Sequence, residues 1–296
     1  MLKKLGFHCA IFVGRMLVLL PYKVQLKLGA FLGLITMLIL RERRHIADVN
    51  LRLCFPEKTP EERKKIRINS FKSLGMAGME GLMAWLMSDR RFNKIPFHWE
   101  GEANYRAAEA LGQGIIGLSA HFDCLEVFCR QFAQRMPNGG LVYKKSRNSL
   151  FNNLVYNSRK RLVKYMVAHE NVLGMVKVLR KKTILWYAPD QDFGRVRSVF
   201  VPFFHAQAAT IVGTSVLARL GQANVMPIFM HRLPKGAGYH VVTLPVLDNF
   251  PSGDDTADTA RINALIEAHV RLYPEQYLWV HRRFKTRPPG EPSVYT

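Results

Sequence analysis

Acidic residues and cysteines are both scarce in this sequence of 296 residues. The chain carries 22 Asp and Glu against 43 Lys and Arg, a formal net charge of +21. Such an excess favours a partner of negative charge, whether nucleic acid, anionic lipid or an acidic protein. The four cysteines show no C-x-x-C spacing, which excludes the disulfide framework of a secreted protein and indicates a reducing compartment.

Repeats, low-complexity tracts and an obvious interdomain linker are also lacking. The 48% hydrophobic content is enough for a substantial core. We therefore expect residues 41–296 to form a single domain, with residues 1–40 as a separate segment.

Residues 1–40 are apolar apart from isolated charges, and Pro21 divides them. The uncharged run 28–40 is shorter than the roughly 20 residues of an untilted membrane span. Extending it back to Val24 includes Lys27, whose side chain can reach an interface. No signal-peptide cleavage pattern follows; instead Arg41, Arg43 and Arg44 do.

This pattern predicts a helical, retained membrane anchor over residues 1–40 that spans once or lies in one leaflet. The arginines that follow predict that the next domain faces the cytoplasm. The alternative is an amphipathic pair of helices packed on the domain itself.

The stretch from Gly114 to Phe132 combines a short buried strand with the start of a helix, and His121 falls in the turn between them. If Glu126 lies in the first helical turn, its carboxylate can hydrogen-bond the imidazole, fix its tautomer and raise its basicity. Two alternatives stay open. Asp123 and Glu126 have the spacing of a helix-capping box, and Cys124 is a candidate nucleophile.

Further strands and helices alternate along the rest of the chain, which predicts an α/β fold. Strands are expected at 140–143, 183–188, 199–204, 224–229 and 239–244. Helices are expected within 46–86, with Thr59 as N-cap, and at 144–182, 208–220 and 254–272.

Two acids, Asp190 and Asp192, follow the strand at 183–188 and precede Gly194. Polar groups at the carboxyl ends of strands bind ligands in α/β folds. The pair can contact sugar hydroxyls, hold a metal or cap a turn. No metal is predicted, because a third ligand is not evident.

Positive charge is concentrated in two places. Residues 144–182 contain eleven basic residues and one acid, Glu170. A basic rim that suits phosphate groups is predicted after the second strand, consisting of Tyr143, Lys144, Lys145, Arg147, Arg159, Lys160 and Arg161. Near the carboxyl terminus, Arg282, Arg283, Lys285 and Arg287 are interleaved with aromatics, which by itself is compatible with a nucleic-acid patch, although no known nucleic-acid module surrounds it.

Five motifs recur in the order of one known family: N-L-R-L-C-F-P at Asn50 to Pro56, His121 with Glu126, Y-A-P-D-Q-D-F-G at Tyr187 to Gly194, F-x-x-x-A-A-T at Phe204 to Thr210, and P-E-Q-Y-x-W-x-H-R-R-F-K-T-R-P at the end. In this the sequence resembles the bacterial lipid A late acyltransferases, the lauroyl/myristoyl transferases that complete Kdo-lipid A.

The resemblance implies a cytoplasm-facing enzyme of the inner membrane, with a glycerolipid-acyltransferase-like mixed sheet flanked by helices. Members move an acyl chain from acyl carrier protein to a hydroxyl of a lipid A precursor, without an acyl-enzyme and without a metal or redox cofactor. By resemblance His121 is the general base and Glu126 its orienting partner. By the same resemblance Arg159 is expected to bind substrate or stabilise the oxyanion, and Asp190 to contact the sugar or phosphate region; Lys144, Arg282 and Arg283 are further candidates for substrate binding.

The implied partners are acyl carrier protein, a phosphorylated lipid A precursor and anionic inner-membrane lipid; nucleic acid is not expected. The sequence departs from the family between His121 and Glu126, where Asp123 adds a second acid that can compete for His121 and Cys124 adds a thiol. Two other functions stay open: a lipid-directed hydrolase using Cys124 and His121, and a non-enzymatic binder of anionic membrane or nucleic acid.

Overall fold

The structure, a computed structural model, describes residues 2–146 and 148–296. The helices are α1 (Leu2–Leu17), α2 (Tyr22–Ile39), α3 (Arg41–Cys54), α4 (Pro60–Leu86), α5 (Asp89–Phe92), α6 (Glu102–Ala110), α7 (Leu125–Arg135), α8 (Ser149–Lys160), α9 (Val172–Leu179), α10 (Gly213–Gly221) and α11 (Asp255–Leu272). The strands are β1 (Phe97–Glu100), β2 (Gly114–Leu118), β3 (Gly140–Tyr143), β4 (Tyr165–Ala168), β5 (Ile184–Tyr187), β6 (Ser198–Phe203), β7 (Ala206–Ile211), β8 (Ala223–Arg232) and β9 (Tyr239–Thr243).

Seven strands form one mixed sheet in the order β1-β9-β8-β2-β5-β3-β4. All neighbours are parallel except β8 and β9, so β2, β3, β4, β5 and β8 point the same way. The central strands are apolar along their whole length, and β2 and β5 are buried at every position. This is the pattern of strands covered by helices on both faces. The carboxyl ends of β2 and β5 lie side by side.

The predicted α/β class and the strands of the sheet centre are confirmed. The two edge strands, β1 and β4, are not among the predictions; β4 lies where a continuous helical region was expected. Each has only four residues and each is partly exposed. A short edge strand contacts one neighbour, so it needs no long apolar run that a sequence pattern reveals.

A second difference concerns the predicted helix 208–220. Its first part is β7, which pairs with β6 in an antiparallel hairpin, and only the second part is helix α10. The alanines Ala208 and Ala209 favour a helix by propensity, but both are buried in the strand. Tertiary packing therefore overrides the local preference here.

The start of α4 agrees with the sequence. Thr59 accepts a hydrogen bond from the Glu62 backbone N–H, while the Glu62 carboxylate accepts from the Thr59 N–H at 2.7 Å. Pro60 occupies the first helical position. This confirms the predicted N-cap, in which the orphan amides of the first turn are satisfied locally.

Helices α2 and α4 touch backbone to backbone. Gly29 and Gly33, in a G-x-x-x-G arrangement on α2, face Gly75 on α4. A Cβ added to Gly75 would lie 2.1 Å from the Gly29 carbonyl oxygen, and one added to Gly33 would lie 2.0 Å from that of Phe71. Small residues permit such close helix contacts, a mode common between membrane helices.

Replacing Gly75 with alanine is expected to lower the free energy of unfolding by about 1–3 kcal/mol, because the new methyl group overpacks the contact with α2. Gly78, on the same helix, has nothing within 4 Å of an added Cβ. Gly78→Ala is the matched control and should stabilise by about 1 kcal/mol through helix propensity alone. Thermal unfolding in detergent measures both; equal shifts for the two variants would contradict the close contact.

The outer faces of α1 and α2 are apolar and exposed. Phe12 is 63% exposed, Phe31 60% and Ile39 69%. Of the helices in the described ranges, α2 is the one long and apolar enough to cross a membrane, and 22% of it is buried. One side of α1 and α2 thus packs on the rest of the chain, as expected for an amphipathic pair of helices. The other side is an exposed apolar surface, which is compatible with membrane association.

Candidate active site

His121 lies three residues after the end of β2. Its backbone N–H donates to Asp190 Oδ2 at 2.9 Å, and its carbonyl accepts from the Leu278 N–H at 3.2 Å. These two bonds fix the loop from opposite sides. The side chain of His121 is 23% exposed, so the imidazole stays accessible to substrate although its backbone is fixed.

The carboxylate that contacts the imidazole is that of Asp190. Asp190 follows β5, the neighbour of β2, and its Oδ1 lies 2.6 Å from His121 Nδ1. Burial alone raises the pKa of Asp190, but the His121 ring and two hydrogen bonds from His121, with Arg283 nearby, lower that pKa to about 2. Asp190 is therefore an anion that holds the Nδ1 proton, which leaves Nε2 as the nitrogen that can accept one.

The predicted hydrogen bond between Glu126 and His121 is absent, and this is a correction. The Glu126 carboxylate lies in the first turn of α7 and binds the Arg159 guanidinium through both oxygens, while Trp85 Nε1 donates to it at 2.9 Å. Arg159 comes from α8 and Trp85 from α4, so Glu126 faces these two helices. Asp190, predicted to contact the sugar or phosphate region of the substrate, is the residue that hydrogen-bonds His121.

The helix-capping alternative is also wrong. The N-cap of α7 is Cys124, and no side chain caps this end. Asp123 is buried close to Ser73 and Arg232, away from the imidazole, and its Oδ2 has no hydrogen-bond partner among the described residues. Burial, with Glu80 and Glu275 nearby, raises the pKa of Asp123 to about 7. Asp123 does not compete for His121.

The environment of Cys124 disfavours a role as a nucleophile. Its side chain is 1% exposed, and its thiol donates to the Met230 carbonyl at 3.3 Å. Burial, followed by the charge of Glu80, raises the pKa of Cys124 well above its ordinary value. Since the thiolate is the reactive species, this environment disfavours the hydrolase alternative.

The carboxyl-terminal segment clamps the loops that carry the site. Asn50 Nδ2 donates to the carbonyls of Trp279 and His281 at 2.7 and 2.8 Å. Asp192 accepts from the backbone N–H and hydroxyl of Thr286 at 2.7 and 2.9 Å, and its own N–H donates to His281 Nε2. Residues from three of the family-like motifs, which are distant along the chain, thus meet around His121.

The aromatic residues of this segment do not form a nucleic-acid patch, because Tyr277, Trp279 and Phe284 are buried in the core and cannot stack on bases. Arg283 is also buried, and donates to the Ala209 carbonyl at 2.8 Å and the Thr210 hydroxyl at 2.6 Å. Both terminal nitrogens of its guanidinium make these bonds, and the side chain also lines the small cavity that includes His121.

The other predicted basic contacts are dispersed. Arg282 is 41% exposed and paired with Glu42 at 3.0 Å. Lys144 is exposed directly after β3, at the same edge of the sheet as His121. Arg147, predicted in the basic rim, lies outside the described residues. Within residues 2–146 and 148–296, no group of three or more His, Cys, Asp or Glu could hold a metal ion.

The pairing of His121 with Asp190 is what the sequence analysis missed. The available signal is an acid that follows a buried strand closely, as Asp190 follows β5. Asp190 comes close to His121 because β5 lies beside β2 in the sheet. The order of strands in a sheet depends on tertiary packing, and no local sequence pattern reveals it.

A histidine held by a buried carboxylate at the carboxyl edge of an α/β sheet is typical of an enzyme that removes a proton from its substrate. The sequence model of the family described as bacterial lipid A biosynthesis acyltransferase matches residues 1–286. The chain belongs to this family and is an acyltransferase enzyme of lipid A biosynthesis, which excludes the non-enzymatic alternative.

Relatives in Escherichia coli (strain K12) are similar over most of their length. The lipid A biosynthesis lauroyltransferase is 40% identical over 284 residues, 95% of this chain and 91% of the relative. The palmitoleoyltransferase is 39% identical, over 93% and 90%. The myristoyltransferase is 28% identical, over 91% and 82%.

Among solved structures, the 1-acyl-sn-glycerophosphate acyltransferase of Thermotoga maritima aligns over 86% of this chain and 98% of its own, with a TM-score of 0.38 and 11% identity. A likeness this distant adds nothing to the assignment, which stands on the family match. Because the substrate class follows from the family, a lipid A precursor is the lipid on which this enzyme acts.

Proposed function

We propose that the enzyme transfers a fatty acyl chain of the lauroyl/myristoyl class from acyl carrier protein to a hydroxyl of a Kdo-lipid A precursor. The observation that carries the proposal is the contact of 2.6 Å between His121 Nδ1 and Asp190. It leaves Nε2 as the proton acceptor on an accessible ring, which is what activation of a hydroxyl requires.

In the proposed step, His121 Nε2 removes the proton of the acceptor hydroxyl while its oxygen attacks the thioester carbonyl carbon. The tetrahedral intermediate collapses, the C–S bond breaks, and the departing thiolate of acyl carrier protein receives the proton from the imidazolium. Asp190 stabilises the imidazolium that forms in between. The acyl group passes directly to the acceptor, without an acyl-enzyme, and neither a metal nor a redox cofactor takes part.

Arg159 is our candidate for stabilising the negative charge on the carbonyl oxygen. Its side chain is 15% exposed, and Glu126, 18% exposed, binds its guanidinium through two oxygens. We propose that Glu126 is a positioning residue: it does not contact the substrate but fixes the orientation of the Arg159 guanidinium. A planar guanidinium anchored on one side still presents N–H groups on the other.

An apolar cavity of about 560 Å³ lies next to this pair. Its lining includes Phe7 and Ile11 of α1, Leu86 of α4 and Leu154 of α8, together with Ser158, the neighbour of Arg159. We propose that it receives the acyl chain during transfer, because burial of methylene groups stabilises a chain by about 0.8 kcal/mol each.

We propose that α1 and α2 lie against the inner membrane, with the domain on its cytoplasmic side. The exposed Lys144, Lys145, Lys160 and Arg161 then offer a basic surface to an acidic carrier protein. We also propose that the fold is glycerolipid-acyltransferase-like. In the same proposal, residues 1–40 are the membrane anchor and residues 41–296 form the catalytic domain.

A transfer assay tests this function. A panel of acyl carrier protein thioesters with a labelled acyl group is incubated with Kdo-lipid A precursor and the enzyme in detergent. We expect transfer with donors of the lauroyl/myristoyl class, and dependence on the carrier protein. Hydrolysis of the thioester without any labelled lipid, for every donor and acceptor, would contradict the proposal.

A further inference from the structure

A second and larger cavity, of about 960 Å³, lies between α2, α4 and the connection of β8 to β9. Its apolar lining includes Leu26 and Ala30 of α2, Met76 of α4, and Leu272 at the end of α11. None of the proposed catalytic residues lines it. It is therefore a separate site, which acyl transfer as proposed does not use.

Four lysines line this cavity. Lys23 and Lys27 are one turn apart on α2, Lys72 is one turn before Met76 on α4, and Lys235 lies in the connection of β8 to β9. Among the described residues, none of the four forms an ion pair within 4 Å, and the lining contains one acid, Glu275. The cavity consequently favours an anion.

Arg232 also lines the cavity but contributes little net charge. Glu80 accepts from its Nε at 2.6 Å and from its second terminal nitrogen at 2.7 Å, and both residues are buried. A buried pair of this kind is satisfied internally. The anion-binding character belongs to the lysines.

The turn that carries Lys235 is held in a costly conformation. Lys235 has φ 56°, in the left-handed region where lysine is disfavoured, and the next residue, Gly236, has φ 67°. An added Cβ at Gly236 would lie 3.1 Å from Lys23 Cγ, so the turn packs on the stem of Lys23. This packing brings Lys23 and Lys235 to the same side of the cavity.

The cavity reaches the exposed surface of the protein. Leu272, in its lining, is 69% exposed, and Leu26 and Ala30 add apolar wall along α2. An amphiphile can therefore place its charged group among the lysines and its chains along α2. A free inorganic anion would use the lysines but not the apolar lining.

We propose that this cavity binds one anionic glycerophospholipid of the membrane, with its phosphate among Lys23, Lys27, Lys72 and Lys235. Its acyl chains lie along Leu26, Ala30 and Met76. The bound lipid is neither donor nor acceptor, and it holds α2, which carries Lys23 and Lys27, at the bilayer surface.

Binding is measured on the full-length protein in detergent by native mass spectrometry, with phosphatidylglycerol and phosphatidylcholine titrated separately. We expect the wild type to retain one phosphatidylglycerol and to prefer it over phosphatidylcholine. The variant K23Q/K27Q/K72Q/K235Q should bind phosphatidylglycerol at least about tenfold more weakly, since lysines near a lipid phosphate each contribute to affinity. The readout is lipid retention, so it is independent of whether acyl transfer occurs as proposed.

The matched control is K164Q/K177Q/K181Q/K182Q, which removes the same charge from exposed lysines outside the cavity. It should bind phosphatidylglycerol as the wild type does, and thermal unfolding should show both variants folded. Equal weakening in the two variants would reduce the effect to net charge and overturn the proposal. Unchanged phosphatidylglycerol affinity with a raised KM for the phosphorylated acceptor would also overturn it, and would assign the lysines to the acceptor.

Discussion

Acyl transfer by the His121→Ala variant is expected to fall by about 100- to 10,000-fold, the usual contribution of a positioned general base. The reason is that the other proton-accepting side chain of this loop, that of Asp123, is buried beside Ser73 and Arg232, away from the accessible imidazole. The measurement is the rate of labelled acyl transfer at saturating donor and acceptor.

The control for this prediction is His98→Ala. His98 is an exposed histidine of the edge strand β1, far along the sheet from β2. The His98→Ala variant should transfer the labelled acyl chain at the wild-type rate. If His121→Ala retained more than about a tenth of the wild-type rate with its fold intact, the general-base assignment would be wrong.

The Asp190→Asn substitution is expected to lower kcat by roughly 100- to 10,000-fold with a smaller change in KM. An asparagine keeps the shape of the side chain but removes the charge that holds the Nδ1 proton and stabilises the imidazolium. The pKa of Asp190, lowered to about 2, keeps the wild-type carboxylate charged throughout the working pH range. Asparagine does not ionise, so raising the pH should not restore the rate of the variant.

Asp190 acts through His121, so a second measurement separates its role from a structural one. Heteronuclear NMR of the histidine nitrogens should show the ring proton on Nδ1 in the wild type and a changed distribution in Asp190→Asn. Asp123→Asn is the matched control, because Asp123 is a buried aspartate two residues from His121 in sequence that faces Ser73 and Arg232 instead of the ring; it should leave both the tautomer and the rate unchanged. A normal rate in Asp190→Asn combined with an inactive Glu126→Gln would return the orienting role to Glu126.

The sequence and the structure agree on several features for which a local pattern carries the information. The apolar run of β5, the cap at Thr59 and the strand-turn-helix around His121 all follow from residue types within about ten positions of one another. His121 itself could be selected from sequence, because a histidine between a buried strand and a helix is a local feature.

The partner of His121 could not be selected in this way. Glu126 is five residues away in sequence and Asp190 is 69 residues away, yet Asp190 makes the contact. The direction in which Glu126 points is decided by Arg159 and Trp85, which α8 and α4 bring to it.

The sequence alone determined the α/β class, the central strands, the basic character, the apolar amino terminus and the resemblance to the lipid A acyltransferases. Only the tertiary structure decided that β5 lies beside β2, that the carboxyl-terminal aromatics are core, and that four lysines from three distant segments surround one cavity. Local propensity and periodicity act over a few residues, whereas strand order and helix contacts depend on which surfaces exclude water together.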